Sequence, residues 1–337
     1  MDNKKILITG AGGFIGGYLV AEALNRGYET WAAVRSTTSR EFLQDERIHF
    51  IELDFTDQEK LTATLDEHVK AHGPWNHVVH NLGATKCTNY LDFERINHGY
   101  LRALVEALRE VQAIPECLLL ISSLSVMGPG DETGYTPFTL DDVPQPNTRY
   151  GVSKLKAEVY LQSQADVPHT ILRLTGVYGP HERDYFLMMK SIKRGFDFSV
   201  GFRKQMLTFI YVKDVATAVM DALARGPLYK AYFISEDQGY TQQQFRQMVC
   251  QELGKKVVIP VTCPLWIVRV VCAVAELVGK VTLKASTLNG DKFKILKQRN
   301  WLCDTSEARD DFGFKARYSL QQGLHEAIDW YRQAGWL

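Results

Sequence analysis

The feature that most constrains this chain is a glycine turn held between a short apolar run and an amphipathic helix. Residues 4–10 read KKILITG, residues 11–27 read AGGFIGGYLVAEALNRG, and a second apolar run, YETWAAVR, follows at 28–35. The pattern predicts strand, turn, helix, strand. Ile15, Leu19, Val20, Ala23 and Leu24 recur at helical spacing, and Gly27 is placed to end the helix. Gly10, Gly13 and Gly16 are spaced GxxGxxG, enclosing Phe14 and Ile15. Glycines there let the turn close, let backbone approach a pyrophosphate and let the helix pack on the strand, while the helix amino terminus faces the negative charge. A dinucleotide-binding βαβ unit is therefore expected at the start of the chain.

The remaining pattern extends that unit. Short apolar runs recur at IHFIEL, NHVVHNL, CLLLISS and HTILRL with helical periodicity between most of them, and MLTFIYV and YFIS come later. Such alternation predicts an α/β fold, a Rossmann-type doubly wound parallel sheet covered on both faces. A chain of 337 residues exceeds one such unit, and its last third is helix-rich. Residues 1–176 are expected to form the dinucleotide-binding domain, with 207–235 returning to it, and 177–206 and 236–337 to form a smaller, mostly helical substrate lobe. Asp304 with Glu307 and Ser319 with Gln322 have capping-box spacing, with Gly313 and Gly335 as stops.

With 39 basic and 39 acidic residues the chain has no net charge to mark it as a nucleic-acid binder. Its six cysteines lack metal-ligand spacing and fit reduced packing residues, and the polar start running straight into a strand leaves no room for a leader, so a cytoplasmic protein is expected. His77 and His80 in HVVH lie three apart on a strand and point to opposite faces, so no metal site is assigned. The run 263–283 is long enough to span a bilayer, but Arg269, Glu276 and Lys280 fall within about 40° on a helical wheel. That pattern predicts an amphipathic helix inside the substrate lobe, with contact with a membrane surface as an alternative and lining of an apolar substrate pocket as a further hypothesis.

An NAD-binding unit places a carboxylate about 20 residues beyond the turn to hold the ribose 2′-hydroxyl. Here Arg35 stands 19 residues after Gly16, followed by Ser36 and Arg40. A guanidinium fork fits a 2′-phosphate, so NADP(H) is the expected cofactor, with NAD(H) as the alternative. Asp54, after the third strand, is placed either to reach the adenine amino group or to close a strand-end turn.

Tyr150 and Lys154 in RYGVSK are four residues apart and share a helix face, so the ammonium is expected to lower the phenol's pKa and let it pass a proton at neutral pH. The order of motifs, TGAGGFIG, LDF at 53–55, HNLGAT, Asn97 in a helix, ISSLSVMG, YGVSK, LRLTGVYGP and FIYVKDVA, resembles the extended short-chain dehydrogenase/reductase family nearly end to end. The resemblance implies an NAD(P)(H)-dependent oxidoreductase in which Ser123, Tyr150 and Lys154 are catalytic, Ser122 and Ser125 being competitors for the serine. It implies a cofactor surface of Gly10, Gly13, Phe14, Ile15, Gly16, Arg35, Ser36, Asp54, Phe55, Leu82, Tyr150, Lys154, Thr175 and Val177, with Tyr178 also near the nicotinamide. Nucleotide-sugar members often carry Asn where this chain has Thr175 or Gly176, and Arg where it has Leu207-Thr208. The carboxyl-terminal segments look more like the 3β-hydroxysteroid dehydrogenase and dihydroflavonol-reductase-like branch. A small-molecule carbonyl or hydroxyl substrate is expected; a nucleotide-sugar epimerase or dehydratase and a non-catalytic dinucleotide-binding protein are the alternatives, and a homodimer is the default assembly.

Overall fold

The computed structural model describes residues 4–87, 89, 91–282 and 289–337, with 280–282 by backbone alone. In chain order the amino-terminal half contains β1 (Lys5–Thr9), α1 (Phe14–Asn25), β2 (Glu29–Val34), β3 (His49–Glu52), α2 (Gln58–His72), β4 (His77–His80), α3 (Leu91–Glu94), a π turn (Arg95–Gly99), α4 (Tyr100–Glu110) and β5 (Cys117–Ser123). There follow α5 (Arg149–Gln162), β6 (His169–Leu174), β7 (Gly176–Tyr178), α6 (Asp184–Lys193), β8 (Phe196–Val200), β9 (Met206–Leu207), β10 (Phe209–Tyr211), α7 (Val212–Arg225) and β11 (Lys230–Ile234). The last third holds β12 (Tyr240–Thr241), α8 (Gln242–Leu253), β13 (Ile259–Cys263), α9 (Leu265–Thr282), α10 (Gly290–Lys297), α11 (Ser306–Phe312) and α12 (Leu320–Gln333).

Seven parallel strands form the main sheet in the order β11-β6-β5-β4-β1-β2-β3. Its strands are continuous apolar runs because both faces are covered: β1, β4 and β5 are buried almost throughout. On one face α1 and α7 pack through Leu19, Val20, Val215 and Val219. On the other, α2, α4 and α5 pack through Leu61, Leu65, Leu104, Leu108 and Leu161. The strand order reverses between β1 and β4, which opens the crevice beyond their carboxyl ends where ligands of doubly wound sheets sit.

MLTFIYV does not form one strand of this sheet. Buried Thr208 interrupts it, its hydroxyl donating to the Trp301 carbonyl at 2.6 Å, so that β9 pairs with β12 and β10 with β7. Only β11 reaches the main sheet, beside β6. Beyond the sheet, α6, α8 and α12 enclose a second core around Met189, Phe245 and Leu324. The Ser319–Gln322 capping box forms on α12. On α11 it does not: the amino-terminal cap is Thr305, whose hydroxyl donates to Asp237 at 2.6 Å and not to the helix, and Asp304 instead accepts the Ser306 amide at 2.8 Å.

Helix α9 departs most from expectation. Its apolar residues Trp266, Val270, Val274 and Leu277 are exposed, while Arg269 and Glu276, with Cys272, turn toward a cavity of about 580 Å³ beside α10. The face lining that cavity is the polar one, so the apolar stripe of α9 is neither core nor pocket wall. Among the described residues no helix is long and apolar enough to cross a membrane.

Candidate active site

The glycine turn is built as a cradle. Gly10 has φ of +67°, and a Cβ there would lie 2.9 Å from the Leu82 backbone, at the point where β1 and β4 diverge. A Cβ on Gly16 would stand 2.1 Å from the Gly10 carbonyl oxygen, so neither position accepts a side chain. Gly13 caps α1 with no side-chain acceptor and no acidic residue follows in the first turn, leaving the amides near Phe14, Ile15 and Gly16 for an incoming anion. The turn therefore fits a dinucleotide pyrophosphate on steric and electrostatic grounds.

Arg35 and Ser36 lie just beyond β2, both exposed. The Arg35 backbone is held by the Thr38 hydroxyl at 2.9 Å, and its guanidinium makes no ion pair among the described residues. Arg40 is stacked instead on Phe50, 4.3 Å from the ring centroid. Asp54 closes a turn, accepting the Thr56 amide at 3.0 Å and hydroxyl at 2.6 Å, and these bonds hold its carboxyl below the usual range. Phe55 stacks on Tyr100 with centroids 5.5 Å apart. Leu82 is tied to β1 through its amide and the Thr9 hydroxyl at 3.2 Å.

Strand β5 ends at Ser123, and α5 begins one residue before Tyr150, capped by the Thr148 hydroxyl on the Gly151 amide at 3.0 Å. This brings Ser123 and Tyr150 together although 27 residues separate them. Burial pushes the Tyr150 phenol upward from its ordinary pKa, and the adjacent Ser123 hydroxyl opposes that shift. The expected lowering by Lys154 is not what the geometry delivers. The Lys154 ammonium is buried and donates to the Ile121 carbonyl at 2.8 Å, and desolvation brings its own pKa down to about 8.

The competing serines have other partners. Ser122 donates to the Glu158 carboxylate, which also takes a bidentate pairing from Arg173, the closest approach being 2.7 Å. Glu158 and Arg173 are buried, at 0% and 7% exposure, and the negative Glu158 partly offsets the desolvation of Lys154. The sequence reading missed this pair. Two signals were present: Glu158 extends the Tyr150–Lys154 face by another four residues, and Arg173 interrupts the apolar run HTILRL. Asn97, buried in the π turn, bonds the Ala84 amide at 2.8 Å and carbonyl at 3.0 Å and the Ser153 hydroxyl at 2.9 Å, fixing the β4 loop against α5.

Thr175 is anchored to the Ile234 carbonyl by its amide at 3.3 Å, and Val177 packs on the sheet core. Tyr178 belongs to the carboxyl-terminal core: it is buried, and a Cβ on Gly323 of α12 would lie 2.2 Å from its hydroxyl. Its hydroxyl packs against α12 at the end of the strand. His80 bonds the Thr9 hydroxyl at 3.2 Å, and burial pushes its pKa down to about 3, so it is neutral. No group of metal-ligating side chains occurs among the described residues.

Similar proteins match this chain over nearly their whole length. A ceramide reductase of Caulobacter vibrioides is 24% identical over 334 residues, covering 98% of this chain and 96% of that one. The sterol-4-alpha-carboxylate 3-dehydrogenase, decarboxylating, of Dictyostelium discoideum is 21% identical over 96% of this chain and 99% of its own. Among solved structures, the dTDP-glucose 4,6-dehydratase of Bacillus anthracis in complex with NAD superposes with a TM-score of 0.75 at 20% identity, covering 98% and 97% of the two chains. The sequence profile of the NAD dependent epimerase/dehydratase family matches residues 6–235, which span the glycine turn, Ser123, Tyr150 and Lys154. The chain therefore belongs to the NAD dependent epimerase/dehydratase family and is an enzyme of the extended short-chain dehydrogenase/reductase type.

Proposed function

We propose that the protein is an NADPH-dependent carbonyl reductase acting on an apolar ketone, reversible as a hydroxyl dehydrogenase. The observation that carries this reading is the placement of Ser123 beside Tyr150 at the carboxyl end of β5, with the phenol kept protonated by burial. A phenol in that state is a proton donor at neutral pH, which suits reduction.

In this reading the Gly10–Gly16 turn takes the pyrophosphate, Arg35 and Ser36 a 2′-phosphate, and Asp54, Phe55 and Leu82 the adenine end. Lys154 takes the nicotinamide ribose, with Thr175 and Val177 beside the ring. The dinucleotide, when bound, supplies hydride to the carbonyl carbon. Ser123 orients the carbonyl oxygen through its hydroxyl, and Tyr150 transfers its phenolic proton to that oxygen. The Ser123 hydroxyl beside it can donate to the phenolate left behind. Oxidation runs the same transfers in reverse.

Two features favour an apolar ketone over a sugar nucleotide. A side chain at Gly176 would meet the Tyr185 hydroxyl 2.2 Å from its Cβ, so Tyr185 would have to move for this position to carry the Asn that nucleotide-sugar members often have there or at Thr175. The Thr208 hydroxyl is committed to the Trp301 carbonyl. The full-length likeness to a ceramide reductase points the same way. Two copies forming a homodimer belong to this reading.

The test is a thermal-shift comparison of the NADP+-loaded protein with UDP, dTDP, steroid ketones and long-chain ketones. A ligand at a hundred times its dissociation constant adds about 2.7 kcal/mol. NADPH oxidation with the stabilising ketone is the expected outcome; stabilisation by a nucleotide alone would replace this reading with an epimerase or dehydratase.

A further inference from the structure

Two adjacent elements of the carboxyl-terminal half are built with their apolar side outward. On α9, Trp266, Val270, Val271, Val274, Leu277 and Val278 occupy an arc of about 140° at 100° per residue, and Trp266 and Leu277 are 69% and 63% exposed. The strand ribbon leading into α9 repeats the inversion. In β8, Phe196 and Phe198 face solvent with their rings 6.3 Å apart while Asp197 between them is buried against Arg246. Ile259 of β13, also exposed, is the registered partner of Phe196. The ribbon and helix are continuous: the Gly201 amide bonds the Cys263 carbonyl at 2.9 Å, two residues before α9. A run of this size left uncovered by the described residues marks an interaction surface.

The charge around it identifies the occupant. Lys193 and Arg194 precede β8, and Lys255 and Lys256 precede β13, so the parallel ribbon has all four at one end. All four are exposed, and none forms an ion pair among the described residues. An apolar face with unpaired cations at one end matches an anionic bilayer, whose acyl region accepts the apolar arc and whose phosphates meet those cations. We propose that α9 and the β8–β13 ribbon dock the enzyme on an anionic membrane surface, lying on it without spanning it. The proposal concerns where the enzyme works and stands apart from the identity of its substrate.

Co-sedimentation of the full chain with vesicles of phosphatidylcholine, with or without about 30% phosphatidylglycerol, at about 0.1 M and about 0.5 M NaCl tests it. Binding is expected with the anionic vesicles at the lower salt and is expected to weaken at the higher. Lys255→Gln/Lys256→Gln should weaken binding by about fivefold per lysine removed. Val274→Asp/Leu277→Asp should weaken it by at least about tenfold, with far-UV circular dichroism and the NADP+ thermal shift unchanged. No binding of the parent to anionic vesicles, or equal binding by the parent and the Val274→Asp/Leu277→Asp variant, overturns the proposal. So does a parental dimer that this variant dissociates while vesicle binding persists, because the face then belongs to a second copy.

Discussion

The buried pair beneath Lys154 gives the sharpest test of how the candidate site is held. Arg173 approaches Glu158 at 2.7, 3.1 and 3.2 Å, and both are removed from water, so each depends on the other for compensation. Removing one partner of such a pair strands the other, at a cost of roughly 3–5 kcal/mol, whereas replacing both with apolar groups is close to neutral. Glu158→Gln keeps the shape and loses the charge; Arg173→Met keeps most of the stem. Each single change should destabilise by about 3 kcal/mol or more, while Glu158→Leu/Arg173→Met should recover most of that loss, giving a coupling of several kcal/mol. For a chain of this size about 3 kcal/mol corresponds to a fall in Tm of roughly 4 °C. Calorimetric or fluorescence melting of the parent, the singles and the double measures the cycle. Additive losses would refute the reasoning, since they would mean that Arg173 and Glu158 act separately and neither compensates the other's burial.

Tyr150→Phe should reduce kcat by about 10²–10⁴-fold and leave dinucleotide affinity unchanged, measured by steady-state kinetics and fluorescence titration; an active variant removes the phenol from the mechanism. Arg35→Ser should raise KM for NADPH about tenfold or more with little change for NADH, because only the former has a 2′-phosphate for the fork. Gly16→Ala should abolish dinucleotide binding, since its methyl carbon would sit 2.1 Å from a backbone oxygen, and isothermal titration reads the loss directly. Lys154 is a cation whose pKa falls to about 8 on folding, so between there and its ordinary value near 10.5 the unfolded chain holds more protons. Raising the pH through that window should therefore stabilise the parent relative to Lys154→Met, by at most about 1.4 kcal/mol per pH unit, as read from urea titrations.

The parts of this fold that the chain announces locally are those the residues make plain. The turn at Gly10–Gly16 is legible because glycine is demanded where backbone meets backbone, and the face shared by Tyr150 and Lys154 because a helix repeats every four residues or so. Pairings made in space are not announced. Glu158 and Arg173 each stand out in their own segments, but no local window tells that the two pair, and the phenol's rise through burial is a property of the assembled site. Helix α9 illustrates a different limit: periodicity reveals that one side is apolar and the other charged, but which side the fold covers depends on what α9 packs against. Here α10 and the cavity take the charged side. Thr208 likewise breaks an apolar run by bonding to a carbonyl 93 residues away, a partner invisible to any local window.

The position of β11 at the sheet edge, beside β6, has a consequence for building chimaeras. The chain leaves the sheet after residue 174, contributes α6 and β8 elsewhere, and comes back through α7 and β11 before leaving again. A truncation after β6 would expose that strand's unpaired edge and uncover the Leu172 and Leu174 face on which α7 rests. Transplanting a new specificity onto this nucleotide-binding frame would thus need three splice junctions, two around the 176–211 excursion and one after 234, and a ribosome must synthesise two-thirds of the protein before the frame itself can close.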